Sequence, residues 1–290
     1  MKTIFNDHTR IDEALIAATK FLAGFSIEGA RRDASVLLVF VLGGDREILY
    51  RAPEQILTTA ELALFKLCIE RRSKSEPVSH ILGTREFWSR EFFVSSDVLD
   101  PRPDSETLID AVLKHGTKTK KPTSILDLGT GSGCLLLTLV AELDGVQGTG
   151  VDLSPKALEM AVKNAKALNL TDRVQFIQSC WFENVGGTFD IIISNPPYIE
   201  TADIADLQTE VREFEPHLAL DGGADGLECY RLIASQANEF LKAGGYLIFE
   251  IGIGQDDAVS GMMKQAGFEG IEVHNDLASV GRCVSGYSKM

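Results

Sequence analysis

The stretch SILDLGTGSGCLLLTLV, residues 124–140, most constrains what this chain can fold into. Ile125–Leu128 reads as a buried strand, Gly129, Gly131 and Gly133 as a tight turn, and the leucine-rich run that follows as a helix. The alternation continues: strands are predicted at Gly148–Asp152, Val174–Gln178, Phe189–Ser194 and Tyr246–Ile251, with helices over 133–143, 155–168, 226–242 and 255–266. Two last strands, near 269–275 and 282–288, leave no room for a helix between them and must pair antiparallel. Parallel strands joined by helices and closed by a hairpin predict an α/β fold: an open, doubly wound, seven-stranded Rossmann-like sheet.

Ahead of it the pattern is helical. Ile11, Leu15, Ala18 and Leu22 share one face, as do Ala30, Ala34, Leu37, Leu38 and Val41, and Leu62, Phe65 and Ile69 share a third after a Thr59 cap. We therefore expect a small N-terminal helical bundle over residues 1–75, a β-hairpin linker over 76–104 and the α/β domain over 105–290. Pro101 and Pro103 stiffen the chain before a helix that starts near Ser105.

The five cysteines are scattered and never form a CxxC pair, which argues against a disulfide framework or a zinc site. No apolar N-terminal signal segment and no run long enough to span a membrane is visible, so a cytoplasmic protein is expected. The net charge is −14: residues 1–100 hold 13 basic and 15 acidic side chains, residues 101–290 hold 15 and 27. The α/β region thus lacks the basic footprint of a duplex-binding protein, and nucleic acid is not expected as a partner.

The glycine loop lets a ligand approach the backbone closely. Nineteen residues beyond Gly133, Asp152 stands at the end of the second strand, where a carboxylate can accept both hydroxyl protons of a ribose. The loop reads GxGxG, not the dinucleotide GxGxxG, and no GK[ST] follows. This combination suits S-adenosyl-L-methionine, which carries no pyrophosphate, with S-adenosyl-L-homocysteine as product. Gly129, Thr130, Gly131, Ser132, Gly133, Asp152 and Leu153 are its candidate binding residues, joined by Asn195 after the fourth strand and by Cys180 and Trp181 after the third, where an aromatic ring can pack on adenine.

The fourth strand ends in Asn195, Pro196, Pro197 and Tyr198. A planar nitrogen is a poor nucleophile because its lone pair is delocalised. The Asn195 side-chain oxygen and the Pro196 carbonyl can take its two protons and aim that lone pair at a methyl group. The prolines restrict the direction of the carbonyl, and Tyr198 offers a flat surface that aligns the group. A carboxamide and the exocyclic amine of adenine both satisfy this chemistry. A scaffold that binds the cofactor without turning it over would leave the NPPY segment unexplained.

With PRPDSETL, LDLGTGSG, VDLSPKAL, QSCWF, SNPPYI, VREFEPHLAL and GGYLIFEIG in place, the chain resembles the HemK/PrmC-type release-factor glutamine N5-methyltransferases over most of its length. The resemblance implies methylation of the glutamine in the GGQ loop of class I peptide chain release factors, by an enzyme expected to work as a monomer without a metal. It implies that Asn195–Tyr198 hold the glutamine amide, that the bundle docks the release factor, and that Arg212–Pro216 act as a lid or support. Two departures stand out: Cys180 replaces the family's more usual acid, and Ser105 its more usual threonine. A relative acting on a ribosomal-protein glutamine and an N6-adenine methyltransferase remain as alternatives.

Overall fold

The computed structural model describes residues 5–6, 8–44, 46–118 and 121–289. The chain divides into two compact units: Met1–Gly83 with Thr209–Phe214, and Thr84–Gln208 with Glu215–Met290.

The first unit is the helical bundle: α1 (Ile11–Ala23), α2 (Ala30–Val41), α3 (Ile48–Arg51), α4 (Thr59–Arg72) and α5 (Val78–Leu82), with the later short helix Thr209–Phe214. The apolar stripes of α1, α2 and α4 form its core; Ile11, Ala18, Leu22, Leu37, Leu38, Phe65 and Ile69 are fully buried. Helix α4 is capped by Thr58, not by Thr59. Thr58 is extended, its hydroxyl accepts from the Glu61 N–H at 3.2 Å, and the Glu61 carboxylate accepts from the Thr58 N–H at 2.7 Å. The Arg72 guanidinium meets Asp33 of α2 and Glu210 of the Thr209–Phe214 helix, both at 2.8 Å.

The domain boundaries expected from sequence are shifted. Residues 78–82 are helical, entered through Pro77 and ended by the left-handed Gly83, and Ile81 is buried in the bundle core. The bundle unit therefore runs to Gly83. The hairpin is confined to β1 (Thr84–Phe87) and β2 (Arg90–Phe93), and it belongs to the α/β unit, because Phe87 and Phe92 are buried with Leu108, Ile109 and Val112. Residues 94–104 hold no strand.

In the second unit the strands are β3 (Ser124–Leu128), β4 (Gln147–Asp152), β5 (Val174–Gln178), β6 (Phe189–Ser194), β7 (Leu241–Glu250), β8 (Glu269–Asn275) and β9 (Gly281–Tyr287). They form one seven-stranded sheet in the order β5-β4-β3-β6-β7-β9-β8. Pairing is parallel from β5 through β7, and β9 runs antiparallel to both β7 and β8. One face is covered by α6 (Glu106–Lys118), α7 (Cys134–Glu142) and α8 (Pro155–Ala167), the other by α10 (Glu228–Phe240) and α11 (Asp256–Gln265), with α9 (Thr209–Phe214) counted in the bundle unit. The chain walks outward from β3 to β5 and then returns to the other side of β3 with β6. That reversal opens a crevice at the carboxyl ends of β3 and β6.

Close packing under the sheet depends on Gly148, where a Cβ would lie 2.9 Å from Val140 and 3.0 Å from Leu136, both fully buried. Gly148→Ala should therefore cost about 1–3 kcal/mol of unfolding free energy by overpacking. Denaturant unfolding checks this, and an unchanged midpoint would show that α7 yields without strain.

Candidate active site

The glycine turn after β3 is built from three residues in the left-handed region, Gly129, Gly131 and Gly133, with φ of 74°, 55° and 80°. They do different work. The Gly129 and Thr130 N–H groups both donate to the Val151 carbonyl at 2.9 Å, which hooks the turn onto β4. Gly131 donates its N–H to Asp152 Oδ2 at 2.9 Å. Gly133 faces α8: a Cβ there would lie 3.3 Å from the Ala161 methyl and 3.1 Å from Leu137, so this glycine serves helix packing.

Asp152 accepts a second backbone N–H, from Ser154, at 2.9 Å on Oδ1. Burial raises its pKa, and these backbone hydrogen bonds pull it back. A carboxylate has about four acceptor sites, so each oxygen keeps capacity for a ligand hydroxyl. Behind the turn, Asp127 is buried and accepts from the Thr130 hydroxyl at 2.6 Å; burial first, then the Asp152 charge, push it up to about 7.

Trp181 sits at φ 48°, a conformation disfavoured for a bulky side chain. Its turn is braced: the Ser179 hydroxyl donates to the Trp181 carbonyl at 2.9 Å and accepts from the Asn184 N–H at 3.0 Å, while the Asn184 amide donates to the Gln178 carbonyl at 2.9 Å. The indole edge thereby lies 3.8 Å from where a Gly129 Cβ would stand.

The end of β6 is tied to β3, since the Ser194 hydroxyl donates to the Leu128 carbonyl at 2.7 Å. Asn195 follows. Beyond it the chain is gripped by groups that the sequence pattern did not mark. The Ile199 N–H donates to the Leu220 carbonyl at 3.0 Å, and the Gly222 N–H donates to the Ile199 carbonyl at 2.8 Å. The Gln255 amide donates to the Tyr198 carbonyl at 3.1 Å, and its oxygen accepts from the Gly252 N–H at 2.9 Å. Side chains would be excluded here, because a Cβ at Gly222 would stand 2.8 Å from the Pro197 carbonyl and one at Gly226 2.4 Å from the Tyr198 carbonyl. Tyr198 itself is pushed up to about 12 by burial and by the nearby Glu250 charge, so its hydroxyl stays protonated.

These elements surround a cavity of about 430 Å³, within the range of small-molecule sites. Residues 129–132, Asp152, Leu153, Cys180, Trp181, Asn195 and Pro197 line it; Gly133, Pro196 and Tyr198 do not. Asp100 and Arg102 contribute another wall. Both are held by Glu215, whose buried carboxylate accepts from the Asp100 N–H at 3.0 Å and from the Arg102 guanidinium at 3.1 Å. The Arg212–Pro216 segment is thus split between the units, with Arg212–Phe214 in the bundle and Glu215 and Pro216 beside the cavity. Ser105 is buried in a 3-10 turn, Pro103–Ser105, just ahead of α6, and its side chain faces Glu250. Glu250, Gln255, Gly222 and Gly226 were missed from sequence, although the DGGADG and EIGIGQ runs carry more glycine than ordinary loops need. Among the described residues, no group of three or more His, Cys, Asp and Glu is placed to hold a metal.

The PrmC N-terminal domain matches residues 13–83, and the methyltransferase small domain matches residues 86–224. A release factor glutamine methyltransferase of Rhodospirillum rubrum is 44% identical over 260 residues, 89% of this chain and 79% of that protein. Another of that name, from Geobacter sulfurreducens, is 42% identical over 92% of each chain. Among solved structures, the hMettl16 catalytic domain in complex with a MAT2A 3′UTR hairpin aligns with a TM-score of 0.56 at 12% identity, covering 87% of this chain and 92% of that one; it shares the fold. On the strength of near full-length identities above 40%, this chain belongs to the release factor glutamine methyltransferase family.

Proposed function

We propose that this protein transfers a methyl group from S-adenosyl-L-methionine to the side-chain amide nitrogen (N5) of the glutamine in the GGQ motif of class I peptide chain release factors. The observation that carries the reading is the convergence, in one cavity, of a glycine turn, the Asp152 carboxylate, Asn195 and Pro197, in a chain 44% identical to a release factor glutamine methyltransferase. The cofactor, when bound, supplies an electrophilic methyl group on a sulfonium.

The chain's own residues do the rest. Backbone at 129–132 admits the cofactor closely, Asp152 takes the ribose hydroxyl protons, and Leu153, Cys180 and Trp181 border the adenine. Asn195 Oδ1 and the Pro196 carbonyl accept the two protons of the glutamine amide, drawing its nitrogen out of conjugation and into line. Tyr198, kept neutral, supports that plane and offers no competing negative charge. The amide proton becomes acidic as the new bond forms and leaves to solvent. The bundle docks the release factor, and the enzyme acts in the cytoplasm as a monomer; among the described residues no helix is long and apolar enough to cross a membrane.

Incubation with labelled S-adenosyl-L-methionine and a release factor should add one methyl to the tryptic peptide carrying GGQ. Parallel incubations with a ribosomal protein and with duplex DNA should leave both unlabelled. Methylation of DNA without a mass gain on the release factor would overturn the proposal.

Two substitutions separate the halves of the site. Asn195→Ala should lower kcat by about 100-fold or more, with cofactor affinity nearly unchanged, because the lost hydrogen bond is made to the substrate amide. Asp152→Ala should weaken cofactor binding by at least about tenfold, since it removes charge-assisted hydrogen bonds. Steady-state methyl transfer reads the first loss, and calorimetric titration with S-adenosyl-L-homocysteine reads cofactor affinity in both variants.

A further inference from the structure

Glu250 is the last residue of β7, and the sheet register sets it beside the reaction edge. Ser194 pairs with Phe249 across the parallel β6–β7 ladder, so the next residues, Asn195 and Glu250, are neighbours, while Glu250 pairs with Cys283 on the other side. The Glu250 carboxylate is 3% exposed. The Ser105 and Asn195 side chains face it and favour its charged form, and its Oε2 has no hydrogen-bond partner. A buried carboxylate is costly unless it is paired or hydrogen-bonded.

An asparagine side chain has two nearly isosteric orientations. One turns its oxygen toward a substrate NH2; the other turns its own NH2 there and repels the substrate. An ionised carboxylate only accepts hydrogen bonds, so it admits the Asn195 NH2 and rejects the Asn195 oxygen. We propose that Glu250 is a positioning residue for methyl transfer: its buried carboxylate takes the Asn195 NH2 and thereby presents Asn195 Oδ1 to the substrate amide. This rests on the proposed function for what Asn195 meets, but the Asn195–Glu250 pairing stands apart from it.

The pairing is sensitive to pH. Glu250 is faced by Asp104 and Ser105 from the 3-10 turn, by Arg282 and Cys283 from β9, by Asn195 and Tyr198 beyond β6, by Tyr230 from α10 and by Cys134 from α7. Burial and the Asp104 charge raise it, the polar side chains of Ser105 and Asn195 and the Arg282 charge lower it, and the balance lies at about 7. Below that value the carboxylate is protonated and gains an O–H, which can pair with either face of Asn195. The orienting effect is therefore lost as pH falls, and kcat should rise with pH through about 7.

The first test needs no substrate. The Asn195 side-chain NH2 resonance, assigned by its loss in Asn195→Ala, should titrate with a midpoint of about 7 in the intact protein and stay flat in Glu250→Gln. A flat signal in the wild type, or a titration that survives in Glu250→Gln, overturns the proposal. The second test is kinetic. Glu250→Met, which cannot accept the hydrogen bond, should lower kcat by about 100-fold, with S-adenosyl-L-homocysteine affinity within about twofold. Glu250→Gln, which can pair in either sense, should lose only about 2–10-fold and lose the acidic limb of the profile. Wild-type kcat in Glu250→Met, or an equal collapse of cofactor affinity, overturns the assignment. An Asn195 signal that titrates as expected in a protein that methylates no release factor would overturn the proposed function and leave the pairing standing.

Discussion

The parallel pairing of β3 with both β4 and β6 is the constraint on which the rest of the structure depends. Strand β3 carries the glycine turn at its carboxyl end, and its register puts Leu128 opposite Val151 on one side and Ser194 on the other. The next residues are therefore forced together: Gly129 beside Asp152, and both across from Asn195. A slip of one residue in either ladder would turn these side chains to opposite faces. The Ser194 hydroxyl on the Leu128 carbonyl and the Gly129 and Thr130 N–H groups on the Val151 carbonyl pin both registers at the point where the site begins.

Around that point the backbone is held by polar groups that have no part in chemistry. Ser179 and Asn184 brace the strained turn at Trp181, Gln255 ties Tyr198 to Gly252, and Glu215 holds Asp100 and Arg102. Each satisfies buried or half-buried backbone that loops would otherwise leave to water. The outcome is a site whose first contacts are rigid because their neighbours are. Glu250 extends the same logic from backbone to a side chain, since a carboxylate with one role can decide which end of an asparagine faces out.

The fold was largely legible because two periods dominate the chain. Alternation of short apolar runs with 3.6-residue stripes predicted all seven strands of the sheet, and Val174–Gln178 and Phe189–Ser194 coincide with the observed β5 and β6. Boundaries where no period operates were less visible. Residues 78–82 are too short to show a stripe, so this five-residue helix blends into the hairpin pattern, and the six-residue Thr209–Phe214 helix buries none of its side chains fully. The Thr58 cap was displaced by one residue because two threonines stand side by side and only the reciprocal Glu61 contact distinguishes them.

The sequence by itself determined the chemistry at hand: a glycine turn, an acid at the end of the next strand, and an amide before two prolines, each set by local spacing that tertiary structure does not alter. What only the tertiary structure decided is which residues meet. Gly133 packs on Ala161, while Gly129 and Gly131 frame the cavity, although all three read alike in sequence. Ser105 and Glu250 lie 145 residues apart, and Asp100 and Glu215 lie 115 apart. Partnerships over such separations follow from strand register and helix packing, which depend on the whole chain at once, so no local pattern could announce them.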